Sequence, residues 1–346
     1  MGVASDMVAD SQADGIDGVQ AIMRRGGDGL RERMVAAELH LARVTTGAGA
    51  PLASPASATI MAGGKRLRPL LVMVAAASAG GPPATAEGEQ RLVRAAVAVE
   101  LVHSATLVHD DLIDGAQLRR GHPTVAAMEG RDVAVATGDL LFARAFAELA
   151  RNEDLAQLRA LSDASSALAV GELLQREDAY AAYVPVERYL RRCELKTAAL
   201  FEAACRLGAL TAARGSRTLA DALGFFARRI GLAFQMLDDV LDVSGPVERT
   251  GKSRGTDLLD GTVTLPLILA RERERELAQV DLASLEGPEE AEALCERIAG
   301  SGALEEARER ALRVVRDAKA VLPAILPEKH TGLLSLVADA VVQRYS

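Results

Sequence analysis

The sequence has only three cysteines, no tryptophan and few aromatic residues of any kind, 3% in all. The cysteines show neither disulfide nor metal-ligand spacing, which favours a reducing compartment and predicts a cytoplasmic protein. No stretch reaches the roughly 18 apolar residues that span a bilayer, so we expect no transmembrane segment. Acidic residues outnumber basic ones, and the resulting net charge of −8 argues against a nucleic-acid partner.

The N-terminal residues are small, polar and acidic, and they lack the basic start and apolar stretch of a signal peptide. We therefore expect a flexible tail over residues 1–17. The remainder, residues 18–346, is rich in Ala, Leu, Arg and Glu and shows no convincing alternation of apolar and polar residues. The chain is 49% hydrophobic, which is enough for a substantial core. These features predict a single all-α domain, one large helical bundle.

Two aspartate-rich motifs of the form DDxxD stand out, Asp110–Asp114 and Asp238–Asp242. Residues four apart on an α-helix lie about 40° apart around its axis, so the outer aspartates of each motif share a face. Like charges at this spacing destabilise a helix, and two such motifs at the ends of apolar helices predict a compensating cation. Carboxylates without nearby cysteine and with few histidines suit Mg²⁺, which binds carboxylates together with substrate phosphates.

The helix that carries the first motif is apolar on nearly every side, so we expect it at the centre of the bundle. Polar residues form one stripe along this helix and a second stripe along the helix of the other motif. The stripes consist of His103, Thr106, Asp110 and Asp114 on the first helix and Gln235, Asp238 and Asp242 on the second. Two such helices facing each other would enclose a deep central cavity with a charged mouth and an apolar interior.

Basic residues suited to binding anions accompany both motifs. They are Lys65, Arg66 and Arg68 after a Gly-Gly pair, Arg119 and Arg120 after the first motif, Lys196 beside Thr197, and Lys252. Arginine binds phosphate through two parallel hydrogen bonds and lysine binds it as a point charge. Together with Mg²⁺, these cations are sufficient to hold two diphosphates. The Gly-Lys pair at 251–252 is not a P-loop, because the GxxxxGK[ST] pattern is absent.

In the order and spacing of five segments, the chain resembles the trans-isoprenyl (polyprenyl) diphosphate synthases, above all their medium- and long-chain members. The segments are GGKRLRP, ELVHSATLVHDDLIDGAQLRRGHPT, LKTAALF, FQMLDDVLD and GKSRGTDLLDGTVTLPLI. The resemblance extends from about Met61 to Ala270. It implies an all-α prenyltransferase, built as a bundle around a central cavity, that joins isopentenyl diphosphate to an allylic diphosphate head to tail.

The resemblance also implies roles for individual residues. Three Mg²⁺ ions would be bound by Asp110, Asp114 and Asp238, supported directly or through water by Asp111 and Asp242. The allylic diphosphate would lie against these metals and against Arg119, Lys196, Thr197, Gln235 and Lys252. Isopentenyl diphosphate would be held without metal by Lys65, Arg68, His103 and Arg120. Catalysis would depend on Lys196 and the three aspartates that bind metal directly, because they stabilise charge on the departing diphosphate.

Product length depends on how far the growing tail can extend beyond the first motif. Short-chain members of the family commonly place a bulky aromatic residue four or five positions before the first aspartate, where this chain has Thr106 and Ala105. No aromatic residue occurs in Glu89–Asp114. We therefore expect a long product, hexa- to decaprenyl diphosphate, of the sort used for quinone side chains. If Val102, Leu101 or a residue from another helix forms a deeper floor, the product is geranylgeranyl diphosphate instead, and farnesyl diphosphate is the other short-chain alternative.

Three other functions fit the sequence less well. A terpene cyclase usually carries an Asn/Ser/Glu-type second metal motif, and a non-catalytic regulatory subunit would be expected to have lost a motif or its basic partners. A di-metal carboxylate bundle would require Glu-x-x-His pairs, which are absent. One departure from the family is Thr262, where many relatives carry lysine. The resemblance also suggests a homodimer and transient membrane contact during product release.

Overall fold

The computed structural model describes residues 13–245 and 254–343, which are helical over most of their length. The first helices are α1 (Ala13–Thr46), α2 (Ala53–Met61), α3 (Leu67–Ser78), α4 (Ala86–Ile113), α5 (Val125–Glu129), α6 (Arg131–Ala150), α7 (Leu155–Asp178) and α8 (Val186–Cys193). They are followed by α9 (Ala199–Thr211), α10 (Arg217–Ser244), α11 (Thr256–Leu259), α12 (Leu265–Arg273), α13 (Arg275–Ala278), α14 (Pro288–Gly300), α15 (Ala303–Ile325) and α16 (Glu328–Gln343). The predicted all-α fold is confirmed.

Short irregular elements complete the chain. A π-helical turn, Glu194–Ala198, joins α8 to α9, and a 3₁₀ turn, Leu282–Ser284, precedes α14. Strands β1 (Leu118–Arg119) and β2 (His122–Pro123) form a small antiparallel hairpin after the first aspartate motif. The sequence pattern does not predict this hairpin, because two-residue strands are too short to show alternation.

Local capping explains where the two motif-bearing helices begin and end. At the start of α4, the side chain of Thr85 accepts a hydrogen bond from the backbone N–H of Gly88 at 3.0 Å. Ser216 caps α10 in the same way, accepting from the N–H of Leu219 at 3.1 Å. Past the end of α4, Gly115 has a φ of 65°, a left-handed conformation that glycine adopts readily and that stops the helix.

The first motif-bearing helix lies in the core, as the sequence predicts. Helix α4 packs against α1, α3, α6 and α9, and α10 packs against α9 and α15. The run Ala95–Val99 has no exposed surface, and neither do Leu101 and Val102. Full burial of one large aliphatic side chain contributes about 1.5–3 kcal/mol, so this helix anchors the bundle that positions its C-terminal aspartates.

Among the described residues, α4 alone is long and apolar enough to cross a membrane by length and composition. Counting consecutive apolar residues does not reveal this, because polar residues such as His103 and Ser104 interrupt the run. Within the bundle, 72% of its most apolar window is buried. This burial is what a core helix requires.

The expected tail and the expected domain concern the ends of the chain. Residues 1–12 lie outside the described ranges, and α1 begins at Ala13, inside the segment 1–17 that the sequence assigns to the tail. That a single catalytic domain covers residues 18–346 stays a prediction.

Candidate active site

One cleft brings together the C-terminal ends of α4, α7 and α10 and the π-helical turn. The predicted site residues in its wall are Asp110, Asp114, Arg119, Lys196, Thr197, Gln235 and Asp238. The cleft wall is mostly polar, and Leu107 and Ala179 are among its few apolar members. The predicted charged mouth is therefore present, with aspartates from both motifs facing the same space.

The first motif contributes two carboxylates with different surroundings. Asp110 is half-buried, and burial raises its pKa to about 6, with further increases from the charges of Glu172 and Asp114 and an opposing effect of Lys196. Asp114 follows the last residue of α4 and forms an ion pair with Arg176 of α7. Negative charge is thus concentrated at this end of α4, as a cation-binding site requires.

The second aspartate of the first motif is directed into the protein. Asp111 is only 6% exposed and accepts a hydrogen bond from Nε of Arg119 at 2.6 Å. Consecutive residues on a helix lie about 100° apart, so Asp111 cannot share the face of Asp110. In this structure Asp111 orients Arg119, which itself lines the cleft.

In the second motif, Asp239 belongs to a hydrogen-bonded chain that sequence reasoning did not predict. Asp239 accepts hydrogen bonds from the hydroxyl of Tyr189 at 2.6 Å and from Nε2 of Gln235 at 2.7 Å. The hydroxyl of Thr197 donates to Oε1 of Gln235 at 2.7 Å, which links the π-helical turn to α10. Burial, followed by the charge of Asp257, raises the pKa of Asp239 to about 7. Tyr189 could be found only from the tertiary fold.

The outer aspartates of the second motif also differ from each other. Asp238 is half-buried and lines the cleft. The carboxylate of Asp242 accepts a hydrogen bond from the backbone N–H of Asp257 at 3.2 Å, and its backbone carbonyl accepts one from Gly255 at 3.0 Å. Asp242 thereby fixes the start of α11, which contributes Thr256 and Asp257 to the cleft wall.

Lys196 is positioned by a helix irregularity. It lies in the π-helical turn, an element that occurs frequently at functional sites. Glycines on both neighbouring helices allow this turn to fit. A Cβ atom at Gly171 of α7 would lie 2.5 Å from the backbone nitrogen of Lys196, and one at Gly231 of α10 would lie 2.8 Å from Cα of Ala198. The amine of Lys196 forms an ion pair with Glu172.

Arg176 also lines the cleft, and Glu172 lies behind it on the same helix; the sequence pattern predicts neither role. Burial acts to raise the pKa of Glu172, but ion pairs with Lys196 and Arg176 outweigh it and lower the pKa below its ordinary value. Glu172 thus stays ionised and holds the side chains of Lys196 and Arg176 at the cleft. Glu172 and Arg176 lie four residues apart on α7, but only the tertiary fold brings that face to the first motif.

A cluster of basic residues surrounds His103, near the cleft along α4. His103 precedes Asp110 by seven residues, which corresponds to about 10 Å along the helix axis. Burial, then the charges of Arg68 and Arg120, hold the pKa of His103 well below 6.5. Burial also lowers the pKa of Arg68 to about 10, with Arg120 adding to the effect and Glu100 opposing it. The fold brings the positive charges of Arg68 and Arg120 close together, and this favours the binding of an anion.

Two contacts hold the arginines of this basic cluster in place. Arg120 donates a hydrogen bond from Nη1 to the carbonyl of Gly63, and a Cβ atom at Gly64 would lie 2.7 Å from the same nitrogen. The guanidinium of Arg68 lies 5.4 Å from the ring centroid of Phe201. Within residues 13–245 and 254–343, Nε of Arg68 is buried without a hydrogen-bond partner. Lys65 follows Gly63 and Gly64 in the loop before α3 and is exposed.

Asp111 and Asp242, predicted to support the metals, are not among the residues that line the cleft, and three other predictions concern Lys252, Ala105 and Thr106. Lys252 lies outside the described residues. Ala105 has no exposed surface and belongs to the core, while Thr106 is half-buried and its hydroxyl donates to the carbonyl of His103 at 2.8 Å. The proposed effect of Ala105 and Thr106 on product length stays a prediction. Thr262, which replaces the family's lysine, does line the cleft.

The donor set fits a magnesium ion that is shared with a substrate. Within the described ranges, no three acidic, histidine or cysteine residues converge closely enough to hold a metal unaided. Asp110, Asp114 and Asp238 instead offer hard carboxylate oxygens from two sides of one cleft. Mg²⁺ usually keeps several waters and binds one or two carboxylates together with substrate phosphates, so it does not need a closed protein cage.

Comparison with known proteins agrees with this arrangement. Residues 50–299 match the polyprenyl synthetase family model. Component 2 of heptaprenyl diphosphate synthase from Geobacillus stearothermophilus is 39% identical over 254 residues, which cover 72% of this chain and 76% of that protein. Geranylgeranyl diphosphate synthase from Methanosarcina mazei is 36% identical over 290 residues, which cover 82% of this chain and 86% of that protein.

The fold is likewise similar to that of a crystallised relative. A polyprenyl synthase from Caulobacter crescentus, solved in complex with calcium and isoprenyl diphosphate, has a TM-score of 0.81 and 35% identity. The match covers 92% of this chain and 97% of that one. The relatives share a reaction class and differ in product length.

Proposed function

The chain belongs to the polyprenyl synthetase family and is a prenyl diphosphate synthase, a prenyltransferase; from this premise we propose that it extends an allylic diphosphate by isopentenyl units in a Mg²⁺-dependent, head-to-tail condensation. One observation supports the proposal above the others. A carboxylate-rich cleft and a cluster of basic residues around His103 lie about 10 Å apart along the same helix.

This division of charge matches the different fates of the two diphosphates. The allylic diphosphate must leave with the electron pair of its C–O bond, so it is assigned to the cleft of Asp110, Asp114 and Asp238. Bound Mg²⁺ would supply stabilisation of the negative charge on that leaving group. Isopentenyl diphosphate must keep its C–O bond, so it is assigned to Arg68, whose guanidinium attracts the anion, and to His103, whose neutral imidazole can donate a hydrogen bond to it.

Other residues of the cleft orient the substrate and limit side reactions. Lys196 and Arg119 provide cations for the allylic diphosphate, and the hydroxyl of Thr197 is held in place by Gln235. Attack by the isopentenyl double bond forms the new C–C bond, and a proton is then lost from the product. We assign that proton to the departing diphosphate, with no side-chain base. Exclusion of water would protect the allylic cation from capture.

A product assay tests this function. Purified protein, Mg²⁺ and labelled isopentenyl diphosphate are incubated separately with geranyl, farnesyl and geranylgeranyl diphosphate, and products are measured by mass spectrometry after dephosphorylation. Extension that disappears on addition of EDTA supports the proposal. Folded protein that extends none of these primers contradicts it for the chain acting alone.

We propose a long product of six to ten isoprene units. The support is the absence of Phe, Tyr and Trp in Glu89–Asp114, so that α4 provides no aromatic floor before the first motif. Similarity does not decide the length, because the relatives include both heptaprenyl and geranylgeranyl diphosphate synthases. Arrest at geranylgeranyl diphosphate in the same assay would contradict the long product and leave the reaction intact.

We further propose that the chain forms a homodimer through α7. Val170 and Leu173 lie three residues apart on this helix and are both exposed, although they are apolar. Sedimentation velocity should show a dimer, which Leu173→Glu should shift toward monomer. The relative named component 2 motivates an alternative, a required second and different subunit. In that case the purified chain is folded but inactive until the second subunit is added.

A further inference from the structure

Arg176 connects helix α7 to the first aspartate motif. Its Nη2 donates to Oδ1 of Asp114, and its Nε donates to Oε1 of Glu172 at 3.0 Å. The side chains of Arg176 and Asp114 are 38% and 36% exposed, so solvent and ions can reach the pair. One guanidinium therefore bridges Asp114, a carboxylate assigned to metal, and Glu172 of its own helix.

We propose that Arg176 competes with the divalent metal for Asp114. It occupies Oδ1 of Asp114, and a metal that uses this oxygen has to displace it. This inference depends on the proposed metal-binding role of Asp114. Mg²⁺ requires oxygen ligands at about 2.0–2.1 Å in nearly octahedral geometry, and a guanidinium hydrogen-bonded to Oδ1 both hinders that approach and repels the cation.

Glu172 provides the position to which Arg176 withdraws. Its Oε1 already accepts from Nε of Arg176, and its Oε2 forms the ion pair with Lys196. Release from Asp114 therefore leaves Arg176 held on the cleft wall next to Lys196, with Nη2 available for a substrate oxygen. Metal binding at Asp114 thus adds a cation for the diphosphate. Such coupling is reciprocal, so a bound diphosphate that attracts Arg176 also favours metal binding.

The size of the effect follows from the exposure of the pair. Ion pairs that are open to solvent contribute little, and their loss changes an equilibrium by about two- to fivefold. Competition by Arg176 should therefore weaken metal binding by about two- to fivefold, which is measurable but does not block the site.

The test measures metal binding by the full-length chain without substrates. Mn²⁺ is titrated into the protein, and free Mn²⁺ is measured from its electron paramagnetic resonance signal. Arg176→Gln should lower the apparent Kd by about two- to fivefold. Arg188→Gln is the matched control, since Arg188 pairs with Glu177 and Asp178 near the same end of α7 but with no motif aspartate. It removes the same charge and should leave the Kd unchanged.

Asp114→Asn separates the two ways in which the idea can fail. If Asp114→Asn weakens Mn²⁺ binding but Arg176→Gln does not tighten it beyond the Arg188→Gln control, the competition is refuted and the metal site stands. If Asp114→Asn has no effect on Mn²⁺ binding, the assigned metal role fails, and the competition fails with it. Circular dichroism confirms that each variant is folded. In the double variant Asp114→Asn/Arg176→Gln, the gain from losing Arg176 should disappear.

Discussion

Replacing Tyr189 by phenylalanine removes one hydroxyl from a buried position behind the cleft. Tyr189 has no exposed surface, and its hydroxyl donates to Oδ2 of Asp239, which is itself only 3% exposed. A water molecule could replace the lost hydroxyl only if there were a cavity to hold it. The carboxylate of Asp239 is therefore left with one hydrogen-bond donor fewer. Asp239 also accepts from Gln235, which holds Thr197. The substitution should therefore affect both stability and the allylic site.

The expected loss of stability follows from the kind of hydrogen bond that is removed. A hydrogen bond to an ionised group contributes about 1.5–3 kcal/mol. Because the pKa of Asp239 is raised to about 7, the measurement belongs at pH 8, where the carboxylate is mostly ionised. Unfolding entropy of about 2.1 cal/mol/K per residue, over 346 residues, converts 1 kcal/mol into about 1.4 °C. Tyr189→Phe should thus lower Tm by about 2–4 °C.

Thermal unfolding and steady-state kinetics test this reasoning together. Tyr183→Phe is the matched control, because Tyr183 is 75% exposed and should tolerate the same change without a shift in Tm. Tyr189→Phe should also raise KM for the allylic diphosphate and leave KM for isopentenyl diphosphate unchanged. If the two variants have the same Tm, or if both KM values rise equally in Tyr189→Phe, the hydrogen-bonded chain does not act as described.

Three further substitutions test other parts of the site. Thr106→Phe should shorten the main product, measured by mass spectrometry. An unchanged length distribution would refute the prediction that the product tail passes Thr106. Gly171→Ala should destabilise the protein by about 1–3 kcal/mol and lower kcat, because its Cβ would lie 2.5 Å from the backbone nitrogen of Lys196. Gly300→Ala is the control, because a Cβ at Gly300 meets nothing within 4 Å, and its Tm should be unchanged. Arg68→Gln should raise KM for isopentenyl diphosphate by about tenfold or more, and an equal rise for the allylic substrate would contradict the assignment of two separate pockets.

Helical periodicity explains why much of the site could be predicted from the sequence. Residues four apart must share a face once a helix forms, so Asp110 and Asp114 were expected together, as were Gln235 and Asp238 from their shared stripe. The structure places all four in one cleft. The central position of α4 was predictable for the same reason, because a helix that is apolar on every side has to be buried.

What the sequence could not show are contacts between elements far apart in the chain. Glu172 and Arg176 look like an ordinary i, i+4 ion pair on an exposed helix, and nothing local indicates that Asp114 lies next to them. The hairpin between β1 and β2 and the π-helical turn around Lys196 also depend on neighbours, since glycines on α7 and α10 make room for that turn. Ala105 is buried in the core, and whether its small side chain leaves a path for a long product stays a prediction.

The two DDxxD motifs use their aspartates in a similar way, and the helix explains why. In each motif the first aspartate, Asp110 or Asp238, is half-buried in the cleft wall. The next residue is rotated by about 100°, so its carboxylate is buried and hydrogen-bonded to the protein, Asp111 to Arg119 and Asp239 to Tyr189. A run of two aspartates thus joins a group that can bind a cation to a group that orients a neighbouring side chain. Removing the second aspartate of either motif should therefore alter substrate positioning even where the first still binds metal.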